Sequence, residues 1–271
     1  MRAFTHHFAF EFHTGIRDKT LLLMNYLLPL GFYLMMGAVM TEEVNPTFRE
    51  NMIPAMVVFA ALAAALLGLP TPLVNARENG IFRSYKINGV PAASILVIPA
   101  LTTMLHLVVV TVIITATAPV LFDAPLPANG VGFALTFLMA AFACTGFGVL
   151  IGVIAPNSQM TVLYSQLIFL PSMLLGGMMM PYNDLPDGVQ RAAQLLPATH
   201  AMNAFRELAQ DLTANFDPYG SLAILFISGL LAFSLAVYLF NWDSHNSTGR
   251  GHPLLALIAL LPYVVGIVLL V

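Results

Sequence analysis

The chain has 271 residues, 59% hydrophobic and 8% charged, with a net charge of −3. Soluble domains carry about 25% charged residues, so this composition excludes a soluble globule, and its hydrophobicity excludes a disordered chain. Ten Lys+Arg against 13 Asp+Glu make no basic nucleic-acid binder, and the single cysteine, Cys144, leaves no intrachain disulfide or multi-cysteine metal site.

What remains is an all-α integral membrane protein, a polytopic helical bundle. Residues 1–19 read as an amphipathic interfacial helix, because Phe4, Phe8, Phe12 and Ile16 recur every four residues on one face. His6, His7 and His13 make no convincing metal site. Charge-free runs then mark seven spans, each needing about 20 apolar residues: Leu21–Thr41, Asn51–Ala76, Ile87–Phe122, 131–154, 160–180, Pro218–Trp242 and Gly251–Val271. The fourth and fifth are separated only by the turn-forming cluster Ala155-Pro156-Asn157-Ser158-Gln159. Runs such as Val57–Leu67 do not alternate, so helices and not barrel strands cross the membrane. With the N-terminus in the cytoplasm, Arg2, Arg17, Lys19, Arg77, Arg83, Lys86 and Arg250 lie inside, against Arg49, Arg191 and Arg206 outside. The excess of inner positive charge favours that orientation, and an odd number of spans puts the C-terminus outside.

Two segments between spans carry polar chemistry. Asn75–Pro91, on the inner side, holds Arg77, Glu78, Arg83 and Lys86, a turn at Asn79-Gly80, and Ile81, Phe82, Tyr85 and Ile87 at helical spacing. Such a charged and aromatic helix suits a protein partner, although basic residues that only fix topology would look the same. Residues 181–216 form the longest outer segment. Asp187 and Gln190 resemble a capping box, Pro197 ends the short helix they start, and Thr199 is placed to cap a second. The pair reads as a lid in the interface or as a plain structured loop. Pro171 predicts a kink or break in the span before it.

Taken together, these segments resemble the permease subunit of an ABC-2 type transporter. The stretch Asn75-Ala76-Arg77-Glu78-Asn79-Gly80-Ile81-Phe82-Arg83, continuing to Gly89-Val90-Pro91, is similar to that family's Glu-x-Gly turn and coupling helix. Leu174-Leu175-Gly176-Gly177 through Pro181, Leu185-Pro186, Leu196-Pro197, Thr199 and Arg206 are similar to the stretch joining its fifth and sixth spans. His200 stands where the family usually has Tyr, Gly188 replaces an aromatic, and residues 253–271 add a seventh helix to the usual six core transmembrane helices in 20–240. The resemblance implies a prokaryotic-type inner or plasma membrane, a second permease copy (identical or homologous), and a separate ABC nucleotide-binding subunit carrying ATP and Mg. The chain has no Gly-x-x-x-x-Gly-Lys-Ser/Thr loop and no catalytic site of its own. Arg77, Glu78, Gly80, Phe82, Arg83, Tyr85 and Lys86 are the expected contacts with the ATPase subunit, with Phe82 and Tyr85 as apolar anchors. Pro181, Pro186, Pro197, His200 and Arg206 mark the outer lid.

Asn25, Tyr26, Gln166, Met173, Met178 and Met179 are candidates for a substrate path, though interhelical hydrogen bonds and gap filling account for them as well. His106 is the histidine deep in a span, with Thr102 and Thr103 near enough along the helix to bond it. Few fixed charges in the spans favour a hydrophobic drug-like or lipid-like substrate, with membrane lipid as a partner, and the resemblance implies its efflux. The alternatives are export of a polysaccharide or glycolipid, and an intramembrane enzyme. Against the enzyme, Glu42-Glu43 is followed at the Glu-Glu-x-x-x-Arg spacing by Thr47, and neither His-Glu-x-x-His nor Gly-x-Ser-x-Gly occurs.

Overall fold

The computed structural model describes residues 19–40, 45, 47–243 and 251–269; all but the last residue of the expected N-terminal interfacial helix lies outside the described residues. Every regular element among them is helical: α1 (Lys19–Val39), α2 (Phe48–Glu78), α3 (Ile81–Ile87), α4 (Ala92–Phe122), α5 (Gly130–Ile154), α6 (Ser158–Leu175), α7 (Asp187–Ala193), α8 (Pro197–Leu208), α9 (Pro218–Leu239) and α10 (Pro253–Leu269). Five of these, α1, α2, α4, α5 and α9, are long and apolar enough to cross a membrane. The other two expected spans are the 18-residue α6 and the mixed α10, which is 3₁₀ over Pro253–Leu260 and α-helical over Leu261–Leu269. All seven run between two ends of the bundle, one carrying α3 (the knob) and the other carrying α7 and α8 (the lid).

Burial ranks the helices. The apolar stretch of α2 is 94% buried, against 22% for α1 and 33% for α9. α2 is therefore the bundle axis, while Leu27 and Leu34 of α1, Val112 and Val120 of α4, and Leu163 and Leu167 of α6 face outward. In lipid such exposure costs nothing, and close packing must come from small residues. α5 supplies them. Gly148 lies against the Ala65 carbonyl of α2, Gly152 faces Leu73 and Pro70, and Gly146 meets Gly229 of α9, where an added Cβ would come within 3.0 Å of a backbone oxygen.

Proline shapes α1 and α2 in the same way. Each contains a π-helical turn, Leu23–Leu27 and Ala63–Gly68. Each turn ends at a leucine followed by proline, and in each that leucine's N–H reaches back five residues: Leu28 to the Leu23 carbonyl, and Leu69 to the Ala64 carbonyl at 3.1 Å. A proline ring clashes with the carbonyl four residues earlier, and widening the preceding turn relieves the clash. The two widened turns face each other, because Gly68 lies against Met24 and Asn25. Pro171 does not break its helix: α6 continues through it to Leu175, and the chain turns at Gly176-Gly177, with Gly177 at φ 83°.

Candidate functional site

The knob is built by two left-handed glycines. α2 stops at Glu78, Gly80 at φ 71° reverses the chain into α3, and Gly89 at φ 71° releases it toward α4. Glycine is the residue that adopts this conformation without Cβ strain. Three ties fasten the last turn of α2 and the knob that follows it to segments that lie far off in sequence. The buried Arg77 guanidinium donates to the Val153 carbonyl at 2.7 Å and to the Ala155 carbonyl, at the C-terminal end of α5. Ser158 donates to the Asn75 side chain at 2.8 Å. Arg83 pairs through Nε (2.8 Å) and its second nitrogen with Asp243, just after α9. Phe82 packs on Phe240 with ring centroids 5.4 Å apart. What faces outward is Glu78, Asn79, Arg83, Lys86 and Ile87, the isoleucine 86% exposed.

Behind the knob a cavity of about 220 Å³ opens between α1, α2, α3 and α4. Asn25, Thr102, Thr103 and His106 form its polar wall, and Leu73, Phe82 and Ile95 lie among its apolar lining. His106 bonds the Tyr26 hydroxyl through Nδ1 at 2.6 Å. The hydroxyl of Thr102, expected as a partner for His106, instead donates to the Ile98 carbonyl at 2.7 Å, the usual back-bond of a helical threonine.

The lid is held by buried polar side chains. Asn203 of α8 donates to the Phe216 carbonyl (2.8 Å) and Ser221 (3.1 Å), and accepts from the Asn215 and Phe216 amides. His200 is fully buried; its Nε2 lies 2.8 Å from the Gln194 carbonyl and its ring packs against Phe216 and Tyr263. Burial pushes its pKa down to about 4. Pro197, at the first helical position, starts α8, where its missing N–H costs nothing. Thr199 therefore does not cap it and donates to the Ala193 carbonyl at 2.6 Å. Pro186, not Asp187, precedes α7, and Gln190 bonds the Leu185 carbonyl instead of closing a capping box. Between the lid and the start of α2 lies a cleft of about 590 Å³, lined by apolar groups, Met178, Met179 and Met202 among them, and by polar ones such as Glu50, Asn51, Asn215 and Arg206. Among the described residues no three His, Cys, Asp or Glu side chains converge on a metal site.

The family model of the ABC-2 type transporter matches residues 3–209, from before α1 into the lid. The chain belongs to the ABC-2 type transporter family. This permease is 23% identical to "Putative transport permease YvfS" of Bacillus subtilis (strain 168) over 228 residues, 83% of this chain and 91% of that one. It is 26% identical to ABC transporter G family member 20 of Dictyostelium discoideum over 60% of this chain and 22% of that one. Nodulation protein J of Sinorhizobium fredii (strain NBRC 101917 / NGR234) is 29% identical over 43% and 45%. No solved structure matches. The permease is thus the transmembrane part of a transporter, a multi-pass membrane protein whose family implies an ABC ATPase partner.

The residues expected to contact that partner divide into two sets. Glu78, Arg83 and Lys86 face outward; Arg77 and Phe82 turn inward, and Tyr85 is half-buried. Arg77 is buried against the end of α5 and Phe82 against Phe240 just after α9. Ile81 and Ile87 are the exposed large apolar groups of α3. The candidate path residues do not converge in one chain: Asn25 lines the inner cavity, Met178 and Met179 line the outer cleft, Met173 packs on the core, and Gln166 lies midway along α6. Pro181 and Arg206 line the cleft, while Pro186 and Pro197 open the lid helices. The π-turns around Asn25 and Gly68 had a readable signal, a Leu-Pro pair after an apolar turn, that hydropathy alone does not register.

Proposed function

We propose that this permease is the membrane half of an ATP-driven exporter of hydrophobic, drug-like or lipid-like compounds. The segment Asn75–Pro91 docks a separate ATPase subunit on the cytoplasmic side, residues 181–216 form the outer lid, and a second permease copy completes the path. The observation that carries the reading is the knob: a short helix at one end of the bundle, charged and apolar on its exposed side, held by Arg83 and Phe82 to the segment after α9, while the last turn of α2 that leads into it is tied to α5 and α6 by Arg77 and Asn75. ATP binding by the partner favours one arrangement of the permease only through contacts that differ between the two arrangements, and the outer face of the knob supplies such contacts. The excess of Lys and Arg on the knob end supports an N-terminus inside, and seven crossings carry the C-terminus outside. Export is the direction that the family resemblance implies. The methionines at the outer cleft suit varied apolar groups. Glu50, Asn51, Asn215 and Arg206 beside them suit a substrate with a polar head on a lipid-like body.

The test is reconstitution of the permease with its ATPase subunit in lipid vesicles. Hydrophobic drugs or lipid-like amphiphiles stimulate ATP hydrolysis, and transported compound accumulates on the lid side. Stimulation by sugars or ions alone overturns the substrate class.

A further inference from the structure

Arg77 poses a question that the docking reading leaves open. It precedes the outward Glu78 by one residue, yet its own charge is buried and spent on the last turn of a helix from the next pair of spans. The final carbonyls of a helix lack intrahelical partners and carry the negative end of its dipole. A guanidinium answers both needs, and its planar fork fixes orientation as well as distance, which a lysine holding one carbonyl does not. Asn75, two residues earlier, is bonded to Ser158 at the start of α6. Arg83, six residues later, holds Asp243 beyond α9. Within nine residues, then, the chain grips both sides of the α5–α6 turn and the end of α9. α5 itself packs closely on α2 and α9 at Gly148 and Gly146, where no side chain separates the helices.

Building on the docking reading, we infer that Arg77 is a positioning residue for transport. It joins the knob and the α5–α6 turn into one rigid body, so that displacement received at the knob enters α5 directly at its C-terminus. The knob and this turn then move together and not past one another. Val153–Ala155 shift with Glu78–Ile87, and α5 carries the shift through its glycine contacts to the lid, where Gly132 lies against the Leu208 carbonyl of α8.

The experiment uses the reconstituted complex with Cys144, the single native cysteine, replaced by alanine. In this background Asn75→Cys with Ser158→Cys forms a disulfide that staples the knob to the turn. Transport after oxidation stays within about twofold of the reduced protein, since the staple links parts of one body; a stop on oxidation that reductant reverses overturns the inference. Independently, Arg77→Gln lowers transport per ATP hydrolysed about tenfold while the ATPase subunit is still captured, and Arg77→Lys recovers part of the loss. Unchanged transport per ATP in Arg77→Gln also overturns it. Capture of the ATPase subunit by a Glu78→Arg permease tests the docking reading on its own, so the two failures are distinguishable.

Discussion

The knob and the lid are both short-helix excursions at opposite ends of the same bundle, and they use polar residues in opposite ways. The knob turns Glu78, Arg83 and Lys86 outward, and it and the last turn of α2 are tied down by a few long-range contacts from Asn75, Arg77 and Arg83. The lid turns its polar groups inward: Asn203, Thr199 and His200 are buried and bonded to backbone within the lid or just after it. A buried, satisfied amide specifies one conformation, because every alternative leaves a polar group unpaired. An exposed charge such as Glu78 or Lys86 is available to a partner. The lid is thus built for a fixed shape and the knob for recognition and movement.

The sharpest way to break this contrast is Asn203→Leu. It strands the Phe216 carbonyl and two loop amides, and unfolding measured in detergent should show a loss of about 3 kcal/mol or more. A loss under about 0.5 kcal/mol, the range of ordinary surface changes, removes the lid's claim to be specified by buried polar bonds. Next comes pH. The folded pKa of His200 is lowered from 6.5 to about 4, so between these values the unfolded chain binds a proton that the folded one refuses. Stability is full above pH 6.5 and falls as pH drops toward 4, by about 3 kcal/mol for this group alone. Thermal melts across that range should show the slope, and His200→Phe should flatten it; an equal slope in both proteins rejects the assignment. The smallest effect on stability belongs to the knob. Glu78→Arg and Ile87→Ser should change unfolding by no more than about 0.5 kcal/mol, yet lower capture of the ATPase subunit about tenfold each, which is about 1.4 kcal/mol of binding. Undiminished capture by both variants places docking elsewhere.

The bundle was legible because charge-free runs are a direct signature of hydrocarbon crossing, and the turn at Asn79-Gly80 because asparagine and glycine suit it. Direction was not legible. Phe82 and Tyr85 share a face by spacing, but nothing in that spacing says whether the face meets α9 or a partner; the answer lies in Phe240, almost 160 residues away. Arg77 reads as a topogenic or partner-facing charge until the α5 carbonyls are brought to it. The cap assignments at Asp187 and Thr199 failed for one reason: Pro186 and Pro197 already start those helices, leaving the side chains free to bond elsewhere.

α10 adds a consequence of its own. Its 17 residues would reach only about 25 Å as a regular α-helix, short of a hydrocarbon core of about 30 Å. The 3₁₀ stretch Pro253–Leu260 rises about 2.0 Å per residue and brings the whole to about 30 Å. The segment thus covers the depth of a hydrocarbon core with about three residues fewer than a regular helix would need, and Tyr263, which bonds Ser228 at 2.8 Å and touches His200, ties it to both α9 and α8.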